Sequence, residues 1–231
     1  MAVGKAAIVG AGLIGRSWAM VFARAGWNVA LHDPVAGAAE RARDLIGPAL
    51  AEQARYGLVR GPAAAPAQPG TLAAAAGGAV APAATPPHLV PLVELCPARW
   101  TDPAIVERAR AIYAEVGQVP ILVKREIEGF VLNRLQGALL AEAFRLVGEG
   151  VVSPEDCDRT VKDGLGLRWS FLGPFETIEL NAPGGIADYC ARYTGFYRRL
   201  SEDPAQPEVW DPPNVATILA QWRPPLAPAE H

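Results

Sequence analysis

The sequence predicts an α/β protein in which a parallel-sheet domain is followed by an all-helical domain. Near the start of the chain, a short apolar run is followed by a glycine-rich turn, an amphipathic stretch and a second apolar run. A strand, helix and strand pattern returns between residues 90 and 123. From Glu128 onward the apolar residues follow only a helical period. The order of these patterns places the sheet first and the helices after it.

The first pattern is strand, helix, strand, helix. Residues Ala6 to Val9 are apolar, too few for a lone helix and bounded by glycine, which indicates a buried parallel strand. The stretch from Ala11 to Gly26 predicts a helix, and Trp27 to His32 a second strand. A second helix is predicted from Ala38 to Gln53, with Leu45 and Leu50 turned toward the core.

The turn between the first strand and the first helix has the spacing G-x-G-x-x-G, at Gly10, Gly12 and Gly15. Gly10 allows a tight turn, Gly12 leaves room for a pyrophosphate, and Gly15 lets the helix pack closely on the strand. The N–H groups at the helix start, around Leu13 and Ile14, are expected to face the phosphates. Glycines also serve ordinary turns, so the flanking strand and helix are the context that this interpretation requires.

The second strand ends in Asp33, about 20 residues beyond the glycines. A carboxylate there accepts hydrogen bonds from the adenosine ribose hydroxyls and repels a 2′-phosphate. The sequence therefore predicts a Rossmann-like domain whose cofactor is NAD rather than NADP.

Composition excludes several classes of protein. With 231 residues, 51% of them hydrophobic, the chain can fill a core. A net charge of −3 gives no basic surface for nucleic acid, and no apolar run approaches the roughly 20 residues of a membrane span. The three cysteines are widely spaced and odd in number, so they indicate neither a disulfide framework nor a metal site. We expect a cytoplasmic protein.

The predicted sheet lacks its middle. From Gly61 to Pro87, 22 of 27 residues are Ala, Pro or Gly, which predicts a loop or disorder. A strand from Val90 to Leu95, a helix capped by Thr101 and a strand from Val119 to Val123 then complete the same domain, residues 1–125. A doubly wound domain normally has about six strands. The domain is therefore predicted to be truncated, by a deletion or by a frame error in a GC-rich gene.

The remainder is predicted to be a helical substrate and dimerisation domain, residues 126–203, followed by a proline-rich tail, residues 204–231. Ser153 is placed to cap one helix, which Gly164 is expected to end. In the tail, Trp210 and Trp222 are the expected docking points. The segment 153–200 carries more large apolar side chains than a small helical domain buries alone, which indicates a homodimer interface.

Four segments in this order resemble the 3-hydroxyacyl-CoA dehydrogenase superfamily, and most of all its lambda-crystallin and L-gulonate 3-dehydrogenase branch. They are IVGAGLIGRSWAMVFARAGWNVALHD, PPHLVPLVEL, EIEGFVLNRLQGALLAEAFRLV and GLGLRWSFLGPFETIELNAPGG. The resemblance implies an NAD-dependent oxidoreductase that acts on the 3-hydroxy group of a small hydroxy acid, such as L-gulonate, or of a hydroxyacyl-CoA. It also implies pairing of subunits through the helical domain.

Two catalytic residues are implied by the same resemblance. In such enzymes a His paired with a Glu takes the hydroxyl proton, while an Asn and a Ser hold the substrate oxygen. Glu94 stands where the family has the Glu, and Asn133 where it has the Asn. By themselves, Glu94 would be a solvated charge at a strand end and Asn133 an exposed helix residue.

The family's catalytic His has no match. It stands twelve residues before the Glu, where this chain has Pro82, with Thr85 in place of a family Asn. The family's substrate-binding Ser has no counterpart either. His88 is close in sequence, and a shifted loop would be needed to bring it inward. Two hypotheses follow: a dehydrogenase, or a catalytically silent NAD-binding or structural dimer of the same descent.

Overall fold

The structure is a computed structural model that describes residues 4–59, 68 and 69, and 87–222. Within those residues the predicted fold class is confirmed, since parallel strands alternate with helices up to residue 122 and only helices follow. The strands are β1 (Lys5–Val9), β2 (Asn28–His32), β3 (Gln68–Pro69), β4 (Leu92–Leu95) and β5 (Val119–Leu122). Between them lie α1 (Leu13–Arg24), α2 (Ala38–Arg55) and α3 (Pro103–Glu115).

The described strands form two parallel sheets. In one, β2 lies between β1 and β3, and Val9 pairs with His32 at the carboxyl end of the ladder. In the other, β4 pairs with β5, and Leu95 faces Leu122. Most of the segment predicted to be a loop or disordered, Gly61 to Pro87, lies outside the described residues. For Gln68 and Pro69 the prediction is wrong, because they form β3 through backbone pairing with β2.

The chain divides into two compact units. The first ends at Leu132 and the second begins at Asn133. The second unit contains most of α4 (Phe130–Gly148) and all later helices. These are α5 (Pro154–Arg159), α6 (Leu167–Trp169), α7 (Pro174–Leu180), α8 (Gly185–Ser201) and α9 (Pro212–Gln221), with a 3₁₀ turn at Pro207–Trp210.

The core of the first unit forms around α1, which packs on the sheet and on α2. Val21, Leu31 and Ile46 are almost completely buried. Each such side chain contributes about 1.5 to 3 kcal/mol by leaving water. The prediction for Leu45 is wrong, because it is 56% exposed. The buried face of α2 contains Ala42, Ile46 and Leu50, so it is offset by one residue from Leu45, and the prediction for Leu50 is confirmed.

Contacts join the two sequence segments that flank residues 60–86. The Trp18 ring lies 5.4 Å from the Tyr113 ring, centroid to centroid. The indole nitrogen of Trp27 donates to Glu115 at 3.3 Å, across 88 residues of sequence. The described parts of the sheet domain therefore form one unit.

Two predicted helix boundaries are wrong. The cap of α3 is Asp102 rather than Thr101, and its carboxylate accepts from the Ala104 N–H at 2.8 Å. Asp102 stands directly before Pro103, at the position where a side-chain oxygen reaches the free N–H groups of the first turn. Gly164 does not end its helix, because a π-helical turn, Thr160–Gly166, continues the chain into α6.

One other boundary prediction is confirmed. The Ser153 hydroxyl accepts from the Asp156 N–H at 3.1 Å, so Ser153 caps α5 as predicted. In the segment after α8, Trp210 packs its ring 4.7 Å from that of Phe144. The side-chain amide of Asn214 donates to the Val209 carbonyl at 2.7 Å and to that of Phe144 at 3.3 Å. Residues 207–214 are therefore attached to α4.

Candidate dinucleotide-binding site

The glycine turn lies at the carboxyl ends of β1 and β2. The Gly10 N–H donates to the His32 carbonyl at 2.8 Å. The next N–H, that of Ala11, donates to Oδ2 of Asp33 at 2.7 Å. The turn after the first strand and the acid after the second are thus joined directly.

The three glycines have different roles in the structure. Gly10 has a φ of 94°, in the region that side chains disfavour. A Cβ at Gly15 would overlap the Gly10 carbonyl oxygen, so Gly15 permits the close approach of α1 to the turn. Gly12 has an ordinary φ of −69°, and a Cβ there would meet no described atom within 4 Å. The space above Gly12 is open, as a pyrophosphate requires.

The amino end of α1 faces that open space. Its first intrahelical hydrogen bond runs from the Arg16 N–H to the Gly12 carbonyl, at 2.9 Å. The N–H groups of Leu13 and Ile14 precede that bond and have no acceptor within the helix. Their side chains are 62% and 47% exposed. Free N–H groups and the positive end of the helix dipole form a site suited to phosphate oxygens.

Asp33 is ionised at neutral pH. Hydrogen bonds from the Ala11 and Val35 N–H groups hold the pKa of its carboxyl below the usual range, with smaller contributions from the charges of His32 and Arg41. The Val35 bond measures 2.9 Å. Each carboxylate oxygen has a second lone pair for a ribose hydroxyl. The residues present therefore fit the adenosine and pyrophosphate part of NAD.

Glu94 is buried, with 4% of its surface exposed. Its Oε1 accepts from the Val131 N–H at 2.8 Å and from the Leu132 N–H at 3.3 Å. These are first-turn amides of α4, which lack helical acceptors. In this structure Glu94 is the carboxylate cap of that helix.

The chain enters α4 through two consecutive residues with positive φ, Gly129 at 77° and Phe130 at 49°. A left-handed conformation costs a bulky residue such as Phe130 about 1 to 2 kcal/mol. It turns the next two N–H groups toward Glu94. The hydrogen bonds to a buried carboxylate offset that cost.

Asn133, the other predicted catalytic residue, lies in the first turn of α4 and is exposed. It is the first residue of the second unit. Pro82 and Thr85, which the sequence predicts at the family positions of the His and the Asn, lie outside the described residues.

His88 lies just before the amino end of β4, whereas Glu94 is near the carboxyl end of that strand. The Arg24 guanidinium donates to the His88 carbonyl at 2.7 Å. Arg24 ends α1, and a helix that follows a parallel strand ends at the amino edge of the sheet. The structure therefore places His88 at the edge opposite the glycine turn.

The surroundings of His88 disfavour its charged form. Burial and the charge of Arg24 lower its pKa, and Nδ1 is buried with no hydrogen-bond partner among the described residues. Gln118 completes this cluster. In the amide orientation that satisfies its neighbours, it donates to the carbonyls of Pro87 and Pro91 and accepts from Arg24 at 3.3 Å. The sequence carries no signal for the cluster, because its contacts depend on backbone carbonyls.

The part of the chain that the structure describes contains neither a metal centre nor a membrane span. No three His, Cys, Asp or Glu side chains converge there in a way that would hold a metal ion. None of the described helices combines the length and the hydropathy that crossing a bilayer requires.

The glycine turn, the acid after the second strand and the helical second unit define a Rossmann-type dinucleotide-binding domain joined to a helical domain. Family models match both parts: the NAD-binding domain of 3-hydroxyacyl-CoA dehydrogenase over residues 5–76 and 79–127, and its C-terminal domain over residues 129–212. This chain belongs to the 3-hydroxyacyl-CoA dehydrogenase family.

Two relatives illustrate the relationship. Lambda-crystallin of Oryctolagus cuniculus is 38% identical over 259 residues, which cover 86% of this chain and 81% of the relative. L-carnitine dehydrogenase of Streptomyces griseus is 32% identical over 241 residues, covering 80% of this chain and 72% of that protein. The alignment with lambda-crystallin is 259 residues long, more than the 231 residues of this chain, although it includes only 86% of this chain. The relative therefore has several dozen additional residues within the aligned span.

Solved structures show the same fold. The NAD⁺-dependent 5-formyl-3-hydroxy-2-methylpyridine 4-carboxylic acid 5-dehydrogenase superposes with a TM-score of 0.72 at 22% identity, covering 93% of this chain and 87% of that one. A 3-hydroxyacyl-CoA dehydrogenase of Archaeoglobus fulgidus gives 0.62 at 23% identity, covering 89% and 85%.

Proposed function

We propose that this chain binds NAD at the glycine turn and that its reaction is oxidation of the 3-hydroxy group of a small hydroxy acid or a hydroxyacyl-CoA. The observation that carries the proposal is the bond between Asp33 and the Ala11 N–H, beside the open space above Gly12. It keeps a carboxylate and the free N–H groups of α1 at one edge of the sheet. These groups suit the two ends of an adenosine diphosphate.

The substrate class is supported by the relatives. L-Carnitine, after which the Streptomyces griseus dehydrogenase is named, is itself a small 3-hydroxy acid. NAD bound at the glycine turn would supply the acceptor for the hydride that leaves the carbon bearing the hydroxyl. The residues of this chain assigned to the reaction are Asn133, which would hold the substrate oxygen, and Glu94, which in the family orients a His.

A second candidate function is NAD binding without turnover. It is favoured by Pro82 at the family position of the catalytic His, because proline exchanges no proton. The place of His88, at the amino edge of the sheet, adds to this argument. Glu94 would then serve only as the cap of α4.

We also infer that the protein is a homodimer that pairs through residues 153–200. Large apolar side chains in this segment are exposed, among them Phe171, Phe175, Leu180, Phe196 and Tyr197. Burying them between two copies removes that surface from water.

The thiols of Cys96, Cys157 and Cys190 are unpaired, which supports a reducing compartment such as the cytoplasm.

One experiment separates the two candidate functions. Purified protein is first titrated with NADH, with quenching of tryptophan fluorescence as the signal. It is then incubated with NAD and either L-gulonate, L-carnitine or a 3-hydroxyacyl-CoA, while absorbance reports NADH formation. Binding with turnover supports the dehydrogenase. Binding without turnover supports the silent protein, and the absence of binding contradicts both.

A further inference from the structure

Arg41 is a cation beside the adenosine end of the proposed site. It lies in the first turns of α2, directly after the turn that carries Asp33. That turn is tied by bonds from the Val35 N–H to Asp33 at 2.9 Å and from the Ala38 N–H to the Val35 carbonyl at 3.1 Å. The acid and the helix start are thus held within one short segment.

The guanidinium of Arg41 folds back over this segment. Its Nη1 lies 2.9 Å from the place where a Cβ of Gly37 would be, so the absence of a side chain at Gly37 makes room for it. Gly37 also has a φ of 75°, which side chains disfavour. Arg41 is therefore directed back toward the nucleotide end of its helix and not along the helix surface.

The charge of Arg41 is not committed to an ion pair among the described residues. By contrast, Arg43, two residues on, lies 3.5 Å from the Asp44 carboxylate. Asp33 is close enough to feel the charge of Arg41, but its carboxylate bonds two backbone N–H groups instead. An exposed guanidinium near a nucleotide-binding carboxylate has the geometry to bind a phosphate through two of its N–H groups at once.

We propose that Asp33 and Arg41 together determine the choice of cofactor, with Asp33 excluding a 2′-phosphate and Arg41 able to bind one when that carboxylate is neutralised. In Rossmann-type sites a carboxylate at this place selects NAD, and a nearby Arg accommodates the extra phosphate of NADP. Here both groups occur beside one turn, and the carboxylate makes the site select NAD. The inference rests on the proposed binding of NAD at the glycine turn.

The acidic residue Glu40 lies in the first turn of α2 and opposes phosphate binding. The increase in NADPH affinity that Arg41 provides should therefore be moderate. We expect it to be about tenfold in NADPH affinity, the size of one charge-assisted hydrogen bond.

The test uses Asp33→Asn, whose side-chain oxygen can still accept from the Ala11 N–H while its charge is lost. NADH and NADPH are titrated separately against the wild type, Asp33→Asn, and the double variants that add Arg41→Ala or Arg43→Ala. We expect Asp33→Asn to bind NADPH about tenfold more tightly than the wild type. Adding Arg41→Ala should remove most of that gain, leaving what the lost charge of Asp33 contributes by itself, and adding Arg43→Ala should keep it.

The results distinguish this inference from the proposed function. If the wild type binds NADH but Arg41→Ala leaves the NADPH affinity of Asp33→Asn unchanged, the role of Arg41 is refuted and NAD binding stands. The absence of any NADPH gain in Asp33→Asn and in a second variant, Asp33→Ser, also refutes it. If the wild type fails to bind NADH, the proposed function itself is refuted. Thermal melting of each variant identifies any that fail to fold.

Discussion

Oε1 of Glu94 lies 2.8 Å from the backbone nitrogen of Val131. A buried carboxylate near the end of β4 thus binds the first turn of α4, the helix that carries Asn133 in its opening turn. The family position of Glu94 predicts a partner for a catalytic His. In this structure the carboxylate fixes the start of a helix.

Glu94→Ala should destabilise the first unit by about 2 kcal/mol, because the cap is lost and Phe130 keeps its unfavourable conformation. Glu94→Gln retains an acceptor oxygen and should cost about half as much. Urea unfolding measures both. Glu107→Ala, an exposed change on α3, is the matched control and should stay within about 0.5 kcal/mol of the wild type. Equal stability of Glu94→Ala and the control would contradict the capping role.

Gly12→Val should weaken NADH binding at least about tenfold while leaving the fold intact. The backbone at Gly12 has a φ of −69°, which any residue adopts. The valine side chain would occupy the open space that the pyrophosphate needs. The control is Gly47→Ala in α2, where a Cβ also meets no described atom within 4 Å. That change should leave affinity unchanged and raise stability by about 0.5 to 1 kcal/mol. Equal NADH affinity of Gly12→Val and the wild type would refute the site.

Phe175→Asp should shift the protein from dimer to monomer in sedimentation velocity. Phe175 is 73% exposed on α7, and a carboxylate there would be desolvated in an apolar interface. Leu45→Asp, at a 56% exposed position of α2, is the control and should not change the sedimentation coefficient. A wild-type protein that sediments as a monomer at all concentrations would contradict the dimer.

The second candidate function, NAD binding without turnover, predicts little or no dehydrogenase activity from the chain as it stands. General acid-base catalysis by a placed side chain contributes about 10² to 10⁴ in rate, and Pro82 supplies none. His88→Ala should leave the residual rate unchanged, since the structure places His88 at the opposite edge of the sheet. Turnover typical of the family in the wild type would overturn this prediction. Loss of activity in His88→Ala would show that His88 supplies the base.

Much of the fold is predictable because its signals are local. The glycine turn, the apolar strands and the Ser153 cap each depend on residues close in sequence. The π-helical turn after Arg159 is not predictable in this way, because Gly164 is a usual helix end. The role of Glu94 also escapes the sequence, since it depends on N–H groups 37 residues away.

The contacts across residues 60–86 imply that the peptide bonds of that segment are not needed to hold the first unit together. Trp18 and Trp27 bind α3, and Arg24 binds the backbone at His88. We therefore expect a chain cut in that segment to remain associated as two polypeptides.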